Sequence, residues 1–136
     1  MAITHTLSLN WTGSGGSSSL LNTVALTGQE EQNFSLTVTS GAVDQSIGMT
    51  FAYSKLIEQY IVCDQTATIY VNSTHGGSPS LTIPLQANQP FVYYVGNGAT
   101  TSPYGTTSVT QAFVSYGTTA VSTTANLNIR TLLTSP

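Results

Sequence analysis

Residues 3–12 read ITHTLSLNWT, with Ile3, His5, Leu7, Leu9 and Trp11 alternating with Thr4, Thr6, Ser8, Asn10 and Thr12. Successive side chains of a strand point to opposite faces, so the stretch predicts a half-buried β-strand, apolar on one face and hydroxyl-bearing on the other. Residues 13–19, GSGGSSS, follow as a flexible loop.

Working outward, short extended runs recur at 20–27, 33–39, 47–53, 59–63, 66–72, 80–86, 90–95, 109–116 and 125–133. Gly28, Ser40-Gly41, residues 75–79, residues 96–98 and Gly117 punctuate them as turn signals. About ten strands in one chain of this size predict a single all-β domain over residues 1–136, a two-sheet antiparallel sandwich, jelly-roll-like. Residues 54–60 (SKLIEQY) hint at one helical turn through the Lys55 and Glu58 pair. Pro84 removes a ladder donor and places its strand at a sheet edge or a bulge. No internal repeat is present.

Charge is the outlying feature. Charged residues make up 5% of the 136, against roughly 25% in an ordinary soluble domain. They are Glu30, Glu31, Asp44, Lys55, Glu58, Asp64 and Arg130, for a net charge of -3. Two basic residues cannot build a phosphate-tracking stripe, so direct nucleic-acid binding is not expected. Polarity comes from 23 Thr and 17 Ser instead. Charge is a main device that keeps sheet edges and small domains apart, so this surface is expected to be covered by partners.

No catalytic arrangement is legible. The acids are scattered, and Glu30-Glu31 read as a solvated turn between strands rather than a carboxylate pair. No serine sits in a nucleophile elbow. The glycine-rich run 13–19 lacks the lysine and following hydroxyl of a phosphate loop. His5, on the apolar face of the first strand, reads as a hydrogen-bonded core or interface residue, and His75 as a turn residue. The single Cys63 reads as a small buried apolar side chain. No metal or other cofactor is expected. The N-terminus shows no export leader, and no apolar run is long enough to span a bilayer. Synthesis in the cytoplasm and no membrane partner are the expectations. The three Asn-x-Ser/Thr sites, at Asn10, Asn33 and Asn72, are then incidental.

Residues 89–98, QPFVYYVGNG, pose the functional question. Phe91, Tyr93 and Val95 alternate with Val92 and Tyr94, so both faces of this strand are apolar. A sandwich core needs one of them. The 109–116 run repeats the pattern more weakly, Phe113 standing opposite Ala112, Val114 and Tyr116. Two covers are open to the second face: the 96–107 loop of the same chain, or an oligomer interface, whose core is apolar, aromatic and short of charge. Val92, Tyr94 and Tyr116 are the candidate contact residues. Trp11 and Tyr104 join them as aromatic platforms, Tyr104 being read at an exposed loop tip or as a lid folded back on its own sheet.

The string IPLQANQPF (83–91), the Gly-Asn-Gly turn at 96–98, the Pro-Tyr loop at 103–104 and ANLNIR (125–130) resemble small all-β structural proteins of tailed-bacteriophage virions, of the head decoration or cement type. The likeness covers roughly residues 80–132 and rests on structural motifs. It implies a non-enzymatic homotrimer on the phage head surface that binds major capsid protein or another virion protein and stabilises the shell. It carries no catalytic residues. The alternative is a carbohydrate- or receptor-binding module on a phage tail or fibre, with Trp11 or Tyr104 as stacking platform.

Overall fold

The computed structural model describes residues 1–12, 19–95, 102–117 and 122–134, with the backbone alone for 9–12 and 19–22. The predicted loop at 13–19 therefore lies, but for Ser19, outside the described residues. The described strands, in chain order, are β1 (Ile3–Thr12), β2 (Ser19–Gly28), β3 (Glu30–Thr39), β4 (Gln45–Ile47), β5 (Leu56–Cys63), β6 (Ala67–Val71), β7 (Leu81–Leu85), β8 (Phe91–Tyr94), β9 (Ala112–Ser115) and β10 (Thr124–Leu133).

Eight of them pack as two four-stranded antiparallel sheets. One has the order β3-β10-β5-β8 and the other β4-β9-β6-β7. The chain passes back and forth between the sheets, β3, β5, β8 and β10 in the first and β4, β6, β7 and β9 in the second. This is a jelly-roll sandwich. The other two strands do not enter it: β1 and β2 pair only with each other, over ten residues without a register shift.

The alternation of each strand sets the core. Ala125, Leu127, Ile129, Thr131 and Leu133 of β10 turn inward, facing Ile69, Ile83, Leu85, Ala112 and Val114 of the other sheet. Each such aliphatic side chain contributes about 1.5–3 kcal/mol by leaving water. Cys63 is free and fully buried among them, and burial pushes its thiol above the ordinary range. Pro84 is tolerated because β7 pairs on one side only, with β6.

Three local expectations are corrected. Residues 54–60 hold no α-helical turn: a single 3-10 turn spans Tyr53–Lys55, and β5 then runs from Leu56. The burial of Leu56, Gln59 and Ile61 in the sheet outweighs a lone Lys55–Glu58 pairing. Glu30 and Glu31 open β3 rather than forming a turn. The 47–53 run ends as a strand at Ile47, and Phe51 makes only an isolated bridge to Val109.

Gly28 marks where the β1–β2 hairpin meets the sandwich. A Cβ there would lie 2.6 Å from the Leu133 carbonyl oxygen and 2.7 Å from Leu132 Cγ, so only glycine lets the two backbones approach. The next amide, Gln29 N–H, donates to that Leu133 carbonyl at 2.9 Å.

Candidate functional site

The outer face of the β3-β10-β5-β8 sheet is a set of rows fixed by strand register. Asn33, Arg130, Tyr60 and Val92 are paired in turn across the four strands. Glu31, Leu132, Glu58 and Tyr94 form the row on one side of them, and Ser35, Asn128 and Val62 the row on the other. Residues directly opposite in a ladder share a face. Apart from Leu132 the face is polar over β3 and β10, and apart from Glu58 it is apolar over β5 and β8, which contribute Tyr60, Val62, Val92 and Tyr94.

The hairpin roofs one end of this face. Its Leu26 is buried, and its His5 reaches down between two carboxylates: Nδ1 lies 2.6 Å from Glu58 Oε2 and Nε2 lies 3.1 Å from Glu31 Oε1. Glu58 is 7% exposed, a carboxylate that burial would penalise without a hydrogen-bonded partner. The Asn33 side chain holds the Glu31 carboxyl below its ordinary range, with His5 and the Arg130 charge adding to that effect against a desolvation cost. Away from this anchor the hairpin and the sheet part to leave a cleft of about 870 Å³, lined by Thr4, His5, Thr6 and Leu7 on one side and by residues including Tyr60, Val62, Asn128 and Arg130 on the other.

The cover of the second apolar face is therefore, in part, the N-terminal hairpin, which neither sequence expectation named. The described part of the 96–107 loop turns elsewhere. Tyr104, read at an exposed tip, is 5% exposed: its ring meets Phe51 edge-on at 5.1 Å and its hydroxyl donates to Gln59 Oε1 in the core. Burial pushes its phenol well up, the Gln59 contact opposing this. Gln59 Nε2 in turn donates to Met49 Sδ at 3.1 Å and Thr131 Oγ1 at 3.4 Å. Tyr104 is the lid on the sandwich end and is not available as a contact platform within this fold.

Tyr116 is likewise corrected from the outer to the inner face. It is 2% exposed, with its hydroxyl donating to the Ser122 carbonyl at 2.8 Å, and Phe113 and Ser115 are the residues of β9 that face out. Val92 and Tyr94 do sit on the outer face, half-buried, beside Tyr60 and Val62. Trp11 lies in β1 opposite Leu20, and its side chain is outside the described residues. Sequence reasoning placed Tyr60 and Val62 in the extended run 59–63 but did not single them out as outward-facing; the alternation of 56–63, with Leu56, Glu58, Ile61 and Cys63 buried, is what separates them.

The scattered acids each have a local structural task. Asp44, at φ 57, accepts from the His75 amide at 2.6 Å, and Asp64 accepts two bonds from Asn126, both at 2.7 Å. Among the described residues no group of three or more His, Cys, Asp or Glu is disposed to hold a metal ion. Comparison with family models, with characterised proteins and with solved structures finds no match to this chain.

Proposed function

We propose that this chain is a non-enzymatic virion structural protein of the head decoration type, which adheres to capsid protein through uncharged surface. The observation that carries this reading is the outer sheet face: Tyr60, Val62, Val92 and Tyr94 form an apolar patch that the hairpin roofs at one end only. The low charge of the whole chain and the resemblance over residues 80–132 support the same reading. Jelly rolls serve in capsids and in lectins alike, so the fold by itself does not decide between them. Electron microscopy of intact particles tests the proposal. Density for this jelly roll is expected at the outer surface of the head, between capsid subunits, and particles lacking the protein should lose their contents at lower temperature. Density on a tail or fibre, or equal heat resistance without the protein, overturns it.

The cleft supports a second reading. Tyr60 stands in one row with Arg130 and Asn33 and beside Asn128, an aromatic ring among amide and guanidinium donors, which is the lining a saccharide uses. A glycan array discriminates: a specific hit abolished by Tyr60→Ala favours the carbohydrate-binding module.

A further inference from the structure

The sandwich protects its own edges and the hairpin does not. The four edge strands of the two sheets are β3, β8, β4 and β7. Of these β8 has four residues and β4 three, β7 carries Pro84 at its fourth position, and β3 opens with Glu30 and Glu31. Short length, proline and charge are the devices by which sheets refuse a neighbouring strand. The hairpin has none of them. Each of its strands is ten residues long, neither holds an Asp, Glu, Lys, Arg or Pro, and the ladder runs through without a bulge. A two-stranded ribbon is also marginal by itself and needs a third strand or a packed face.

The two hairpin edges are not equivalent. The β2 end is seated on the sandwich through Gly28, against Leu132 and Leu133. On β1 the edge away from β2 pairs with no other described strand.

We infer that the β1 edge is an inter-subunit pairing edge whose occupant is β1 of a second copy of this chain, lying antiparallel beside it. The sequence of β1 is complementary to itself in that arrangement. A register centred on Leu7 sets Leu7 against Leu7, His5 against Leu9, Ile3 against Trp11, Thr6 against Ser8 and Thr4 against Asn10. Apolar meets apolar apart from His5, hydroxyl meets hydroxyl or amide, and no like charges oppose. The inference rests on the chain's own edges and not on the virion reading, and purified protein alone tests it.

Thr6 is exposed, so Thr6→Lys adds a charge at the middle of the pairing edge without touching the core. Thr37→Lys places the same charge at an exposed position of the β3 edge. Sedimentation equilibrium at micromolar concentration should show self-association that Thr6→Lys weakens by about tenfold or more, while Thr37→Lys leaves it unchanged. Amide exchange of unaltered protein should show protection of residues 4–10 that rises with protein concentration. A protein monomeric at every concentration, association lost with Thr37→Lys but kept with Thr6→Lys, or β1 amides whose exchange is independent of concentration would overturn the inference.

Discussion

The imidazole of His5 on β1 lies 2.6 Å through Nδ1 from Glu58 on β5, and this contact fastens the β1 strand of the hairpin to a sandwich whose sheets it does not enter. The second ring nitrogen reaches Glu31 on β3 at 3.1 Å. A neutral imidazole has one N–H and donates to one carboxylate at a time, whereas the imidazolium donates to both. Three strands are thereby tied at one point.

Replacing His5 by Ala should free the hairpin before it unfolds the sandwich. Glu58 would be left as a buried carboxylate without this partner, a loss of about 1.5–3 kcal/mol for a hydrogen bond to a charged group. Amide exchange should quicken along β1 and β2 and stay slow along β10. Equal acceleration in both would mean that the hairpin and the sandwich open as one unit.

Acid should loosen the same point. The folded-state pKa of Glu31 is depressed, so its contribution to stability is present in full above the unfolded value of 4.5 and is lost as pH falls through the lowered folded value. The melting temperature should therefore drop as pH falls below 4.5. Asn33→Ala, which removes the largest cause of the depression, should make part of that drop disappear. Glu31 is largely solvated, so the effect is small and is read best as a difference between variant and parent.

The core pair Tyr104 and Gln59 offers a test of the lid. Tyr104→Phe keeps the ring against Phe51 but leaves the buried Gln59 Oε1 without its donor, at a cost of about 1–3 kcal/mol. Tyr104→Ala removes the ring as well and should cost about 3–5 kcal/mol, as large-to-small core changes of aromatic residues do. Urea denaturation of the two variants measures both. If Tyr104→Ala were no more harmful than Tyr104→Phe, the ring would not be closing the sandwich end.

These contacts explain what was legible in the sequence and what was not. The alternation of residues 3–12 placed β1 to the residue, because period-2 patterning is a local property of the strand that carries it. The all-β class and the edge position of Pro84 followed from local signals too. The detachment of β1 and β2 did not, since it depends on Gly28 meeting Leu132 and Leu133, more than a hundred positions away. The two readings of Tyr104, exposed tip or folded-back lid, stayed open for the same reason. Its Pro-Tyr-Gly setting describes a turn correctly, but only the tertiary fold brings Gln59 under that turn. His5 was read as a hydrogen-bonded residue, and its two acidic partners lie on strands that register alone brings together.

Salt is the variable that separates adhesion by uncharged surface from charge-steered binding. With only two basic and five acidic residues in the chain, there is little charge to match against the proposed capsid partner. Screening at 1 M salt shortens the reach of exposed charges to about 3 Å, which weakens ion-pair docking steeply and leaves apolar and hydrogen-bonded contact in place. Occupancy on particles should therefore hold when salt is raised from about 0.1 M to 1 M. Tyr94→Asp should remove it, because the substitution sets an unpaired charge in the apolar patch beside Val92 and Glu58 while the inward side chains of β8 are untouched. Shedding of the unaltered protein at 1 M salt would instead assign the contact to ion pairs and withdraw support from the patch as the adhesive surface.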